Sequence, residues 1–139
     1  METAGPATDD LNRIATTTVA LAAIESAAIF VLAPAGGSLE LGAAAGVDGP
    51  PLDRLVEAVK DPAHPIAQTA RDGVASFNVT PTAPGRPALR SHLPLIDRSA
   101  SGRRVLGVLA VAHQERVEAG TQISLEAIAA QAARALASR

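Results

Sequence analysis

Arg90, Ser91 and His92 are consecutive, and Asp97 follows five residues after the histidine. A hydroxyl, an imidazole and a carboxylate are the parts of a nucleophilic triad. Their spacing defeats that chemistry. The stretch "ALRSHLPLI" alternates Leu89, Ser91, Leu93 and Leu95 with Arg90, His92 and Pro94, which is the period of a strand. Neighbours on a strand point to opposite faces, so Ser91 and His92 cannot act on one another. Arg90 and His92 do share a face, and a guanidinium beside an imidazole suits an anionic or carbonyl-bearing small molecule. The plain alternative is a solvated sheet face, since antiparallel sheets commonly leave one side wet.

Other chemistries lack their parts. His64, His92 and His113 sit in three separate segments without an i, i+4 pair, and there is no cysteine, so no metal site is expected. The missing cysteines also remove disulfides and thiol nucleophiles, and they fit a cytoplasmic location. No G-x-S-x-G elbow and no Gly-rich phosphate loop occurs. No enzyme activity is expected. His64 lies between Pro62 and Pro65 and reads as a turn residue, while His113 ends a strand and is expected to be exposed.

Composition narrows the partners. With 139 residues, 47% of them hydrophobic, the chain can bury one core. A formal charge of −2, with Phe30 and Phe77 the sole aromatics, offers no basic stripe and no stacking platform for nucleic acid. The apolar run from Val19 to Ala35 contains Glu25 and ends at Pro34 and Gly36-Gly37. A carboxylate near mid-bilayer costs about 2.5–3.5 kcal/mol, so no membrane span is expected.

The elements that must position Arg90 and His92 follow from periodicity. Residues 1–8 read as a flexible leader, and residues 9–139 as a single domain. Leu11, Ile14, Thr18 and Leu21 step by three and four, which predicts a helix from Asp9 to Glu25, capped by Thr8 or Asp9. Ala28–Ala33 and Leu39–Leu41 predict two strands about the turn "PAGG". "LDRLVEAVK" and "IAQTARDG" predict short helices, the second ended by Gly73 in a left-handed conformation. "VASFNV", "ALRSHLPLI" and "RRVLGVLAVAH" predict three more strands. "SLEAIAAQAARALASR" predicts a closing helix capped by Ser124, with Leu125, Ile128, Ala132 and Ala135 repeating the narrow stripe of the first. The order implies α+β: a central antiparallel sheet of five to six strands, the two terminal helices on one face and the short helices on the other.

These stretches resemble GAF domains, small-molecule-sensing modules of bacterial signalling proteins and phosphodiesterases. "SAAIFVLAPAGGSLELGAAAGV" resembles the family's first hairpin, ending in Gly46, and "HPIAQTARDGVASFNV" its helix–Gly–strand step. "RSHLPLI" with "GRRVLGVLAV" resembles its Pro-Leu and Gly-Val-Leu strand pair, and "LEAIAAQAARAL" its closing helix. The Asn-Lys-…-Phe-Asp-Glu signature of cyclic-nucleotide-binding members is absent. So is the cysteine of bilin-carrying members and of the methionine-sulfoxide reductases, so neither a covalent bilin nor that redox chemistry is expected, and no haem.

The resemblance implies a pocket on the sheet face away from the terminal helices. Carried over residue by residue, its positions are His92 and Pro94 with Arg90, then Phe30 and Leu32, closed by Phe77 and Ile66. An enclosed Arg90 would need Asp97, Asp72 or an anionic ligand, because an unpaired buried charge costs several kcal/mol. The family role implied is a sensing and dimerisation domain of a signalling protein, such as a histidine kinase or transcriptional regulator, with its output domain outside this chain. The homodimer is expected to form through the terminal helices, using Leu11, Ile14, Thr18, Leu21, Leu125, Ile128, Ala132 and Ala135. The alternative is a ligand-free interaction module of the same fold.

Overall fold

Two strands apolar on both faces organise the molecule. β1 (Ile24–Leu32) directs Ala27 and Ile29 to one side and Ala28 and Phe30 to the other, and all four are buried. β5 (Arg104–His113) does the same with Leu109 and Val111 against Val108 and Ala110. Such strands must lie mid-sheet with cover on both sides. The computed structural model, which describes residues 6–21, 24–33, 38–80, 89–98 and 104–137, places them side by side and antiparallel. β2 (Leu39–Ala45), β4 (Leu89–Asp97) and β3 (Ser76–Val79) complete an antiparallel sheet in the order β2-β1-β5-β4-β3.

One face carries the terminal helices α1 (Pro6–Val19) and α4 (Ala119–Ala137). Leu11, Ile14 and Ala15 of α1 and Leu125, Ile128, Ala129, Ala132 and Leu136 of α4 close over Ile29, Leu93, Leu95, Leu109 and Val111. The other face carries α2 (Gly49–Ala58) and α3 (Pro65–Asp72). Ile66 and Ala70 of α3, with Val59 just beyond α2, cover Ala28, Phe30, Leu39, Val108 and Ala110. The expected α+β arrangement is therefore the one observed, with five strands among the described residues.

Gly73 ends α3 in the left-handed conformation the sequence predicts, at φ 69°, with its N–H donating to the Thr69 carbonyl at 2.8 Å; Pro65, which precedes the predicted helix, is its first residue. Other boundaries move. α1 starts at Pro6, so residues 6–8 are helical rather than leader, and residues 1–5 lie outside the description. The helix stops at Val19, where Ala20 and Leu21 donate back to Thr17 and Thr18, and Glu25 belongs to β1 instead. α4 begins at Ala119, so Ser124 is no cap; its hydroxyl donates to the Gly120 carbonyl one turn back at 3.2 Å. The turn "PAGG" and the connections 81–88 and 99–103 lie outside the described residues.

Candidate functional site

Strand register builds the site on the face away from α1 and α4. Ser26 stands opposite Ala112, which stands opposite Arg90; one row along, Ala28 stands opposite Ala110, which stands opposite His92. A third row runs Phe30, Val108, Pro94. The two central positions nearest Arg90 and His92 are thus alanines, whose small side chains leave a depression. It forms a cleft of about 310 Å³ lined by Ser26, Ala28, Ala110, Ala112 and Arg90, with Glu25 and Asp48 at its rim and Pro51 and Leu55 of α2 as its wall.

His92 is buried beside this floor, 1% exposed, and neither ring nitrogen has a hydrogen-bond partner among the described residues. Burial lowers its pKa to about 4, helped by the neighbouring charges of Arg90 and then His64. The imidazole is therefore neutral at pH 7 and offers one donor and one acceptor. His64 is the N-cap of α3, its Nδ1 accepting from the Ile66 N–H at 3.1 Å. Burial and the Arg90 charge lower its pKa as well, against the pull of Asp61. A neutral ring is what that cap requires, since a protonated Nδ1 cannot accept.

The seven expected pocket residues do not converge. Arg90 and His92 lie together as expected. Phe30 and Ile66, both fully buried, are close-packed with Val59 and Val108 and form solid floor rather than wall. Leu32 lines a different hollow of about 480 Å³, with Leu39, Val59, Ala70 and Arg71. Pro94 lines another, of about 390 Å³, against Gly73 and Ala129. Phe77 is a correction: it packs on the helix-covered core. Ser76 stands opposite His92, so the next residue on β3 faces the other way, a register the sequence did not fix.

The expected dimer seam is corrected too. Leu11, Ile14, Thr18, Leu125, Ile128 and Ala132 are buried in this chain's own core, and Leu21 and Ala135 pack against it. A stripe that covers its own sheet is unavailable to a second copy. Arg90's expected partner Asp97 lies at the far end of β4, 3.6 Å from Arg104.

This layout has known counterparts. A GAF domain of DevS from Mycobacterium smegmatis superposes at a TM-score of 0.71, with 24% identity and 95% of each chain covered. The chain folds as a GAF domain. The same GAF fold is shared with a methyl-accepting chemotaxis protein (TM-score 0.68, 18% identity, 94% of this chain and 88% of that one). It is shared also with a type II free methionine-R-sulfoxide reductase from Thermoplasma acidophilum (TM-score 0.72, 12% identity, 94% and 92%). No family model and no curated protein matches the sequence. Among the described residues no three His, Cys, Asp or Glu side chains converge as metal ligands do, and no helix is long and apolar enough to cross a membrane.

The GAF sheet also hides a cluster that sequence reasoning missed. His113 is fully buried, not exposed: its Nδ1 lies 2.7 Å from the Glu115 carbonyl and its Nε2 2.9 Å from Ser91 Oγ. A carbonyl only accepts, so Nδ1 carries the proton and Nε2 accepts from the Ser91 hydroxyl. That hydroxyl oxygen in turn accepts from the Asn78 N–H at 3.1 Å. Ser91 thus has an imidazole partner after all, 22 residues away and across the ladder. Both side chains are sealed under the helix face, which makes them a structural tie and leaves no approach for a substrate. The missed signal was Ser91 itself, a polar residue in an otherwise leucine row.

Asn78 anchors this tie to the segment entering α4. It sits at φ 60°, its Oδ1 accepts from the Val117 N–H at 2.7 Å, and its Nδ2 donates to the Val117 carbonyl at 3.4 Å. Asn78→Ala loses both bonds and places a Cβ without local compensation in the left-handed region, so it is expected to destabilise by about 2–4 kcal/mol. Asn78→Gly relieves the backbone term and should recover about 1 kcal/mol of that in urea unfolding. An alanine variant at least as stable as the glycine variant would contradict this account.

Proposed function

We propose that this GAF-fold chain is a regulatory module that senses a small molecule at the Arg90–His92 face, and that it is not an enzyme. One observation carries the reading: a neutral, fully buried imidazole whose two nitrogens lack partners among the described residues, beside a cleft edged by a guanidinium. A buried polar group left without a bond costs about 1–3 kcal/mol, a cost retained in a fold where a ligand can supply the missing bonds. A chemotaxis protein of the same fold supports the signalling role. The reductase of the same fold is the counter-example, but this chain has no cysteine with which to carry such redox chemistry. Ligand binding would act by population shift, favouring one packing of the sheet under α1 and α4 and passing it to an output domain.

The second reading, a ligand-free interaction module, draws support from Phe30, Ile66 and Val108, which are fully buried and close-packed where the resemblance placed a pocket. A thermal-shift screen against metabolites and nucleotides separates the two. A ligand at one hundred times its Kd stabilises by about 2.7 kcal/mol, a midpoint rise of several degrees. The rise is expected to shrink in Arg90→Ala and His92→Leu. A screen without a hit, or a hit whose shift survives both substitutions, favours the interaction module.

A further inference from the structure

The Arg90 cleft carries opposite charges on its two sides. Its nearest floor row runs Ser26, Ala112, Arg90 across β1, β5 and β4, so two strand spacings, roughly 10 Å of backbone, separate the ends of that row. Arg90 closes the β4 end. Glu25 and Asp48 close the β1 end, each put there by a departure from regular structure. The pairing of β1 with β5 slips between Ile24 and Ser26, so Glu25 stands in a bulge, outside the alternation of its strand. Its carboxylate accepts from the Gln114 side-chain amide at 2.7 Å. Gly46, at φ 77°, lets the chain leaving β2 pass against that bulge, since a Cβ there would run into the Glu25 carbonyl. Asp48 follows two residues later.

Asp48 holds the N-cap position of α2, where a carboxylate ordinarily accepts from the backbone N–H two or three residues on. Those residues are Pro50 and Pro51, which have no N–H, and the Asp48 side chain makes no cap bond. The helix therefore leaves this carboxylate unused, and it has no hydrogen-bond or ion-pair partner among the described residues. The same two prolines remove donors that would make the helix start attractive to an anion. An anion suits the Arg90 end and is repelled at the other, and a cation the reverse. We propose that the ligand of this cleft is a small zwitterion of the free amino-acid class, its carboxylate at Arg90 and its ammonium between Glu25 and Asp48. The donor of His92, partnerless among the described residues, lies one row along from Arg90, at the carboxylate end. The cleft, of about 310 Å³, has room for one such molecule, and Ala28, Ala110 and Leu55 give its carbon chain an apolar bed. This inference rests on the sensing role proposed above and names its ligand class.

Removing one charge at a time tests it. The full chain is titrated calorimetrically with the standard amino acids, β-alanine and γ-aminobutyrate. The tightest of them is then compared with its analogue lacking the ammonium and its analogue lacking the carboxylate; for leucine these are isocaproate and isoamylamine. Each analogue is expected to bind on the order of ten-fold more weakly than the amino acid. Glu25 and Asp48 are exposed, so Glu25→Gln and Asp48→Asn should leave the melting curve of the ligand-free chain unchanged. Each should weaken the amino acid on the order of ten-fold, while the deaminated analogue should lose nothing. A deaminated analogue as tight as its parent, or an amino-acid affinity that survives both substitutions, overturns the zwitterion and leaves the sensing role standing. Amino acids that do not bind overturn it too. In that case the wider metabolite screen judges the sensing role separately, since an anion whose thermal shift depends on Arg90 sustains it.

Discussion

Lowering the pH from 7.5 to 4 is expected to remove about 3 kcal/mol of stability through His92 alone. Near neutrality His92 is uncharged in both folded and unfolded chains. Below pH 6.5 the unfolded chain takes up a proton that the folded chain refuses until about pH 4, because the ring is buried beside Arg90 and His64. In that window the unfolded state binds more protons, so stability falls as pH falls, and the loss is complete below pH 4. His64 titrates with the same sign but is only partly buried, and protonation would also break its cap on Ile66. His92→Leu isolates the effect. It removes a buried polar group that has no bonds among the described residues, so it should gain about 1–3 kcal/mol at pH 7.5. Its stability should also change less on acidification, by the 3 kcal/mol that the parent loses. Urea unfolding of both chains at the two pH values measures this. Equal acid losses would show that the ring is hydrated or bonded in solution. A variant less stable than the parent at pH 7.5 would show that His92 has partners.

Gly107→Ala is expected to cost about 3 kcal/mol or more, the largest effect of any single methyl group in the sheet. Gly107 lies mid-β5, opposite Val31 on one side and Leu95 on the other. A Cβ there would run into the carbonyl oxygen of Phe30 and stand 3.2 Å from Val31 Cα. These obstacles are backbone, so no side-chain rotation relieves them and β1 must part from β5. That ladder joins the two strands buried on both faces, and its loss would loosen both cores together. Val108→Ala next door, which only hollows a packed site, makes the comparison. Chemical unfolding that puts Gly107→Ala within about 1 kcal/mol of the parent would mean that the two strands stand further apart than described.

The strand face of Arg90 and His92 was legible because alternation is a local rule: Leu93 and Leu95 entered the helix-covered core and His92 went to the other side. Gly73 was legible for the same reason, since a left-handed helix end is decided within one turn. Errors began where the deciding partner is distant. Phe77 was assigned to the wrong face because the register of β3 against β4, with its irregularity between Ser76 and Val79, is set across the ladder. His113 was expected in water because its partners, Ser91 and the Glu115 carbonyl, meet it only after folding. The helix stripes were read correctly as apolar seams and assigned to the wrong neighbour. An i, i+4 row of Leu, Ile and Ala looks the same whether it covers its own sheet or a second chain.

By itself the sequence determined the α+β class, the order of elements and which residues of β4 share a face, because these follow from periods of two and 3.6 residues along one segment. Only the tertiary structure decided that Phe30 and Ile66 fill their space, that Arg90 borders a cleft floored by alanines, and that His92 is buried without partners among the described residues. Those properties depend on which side chains meet across strands far apart in the chain, and cross-strand neighbours are fixed by register rather than by local pattern.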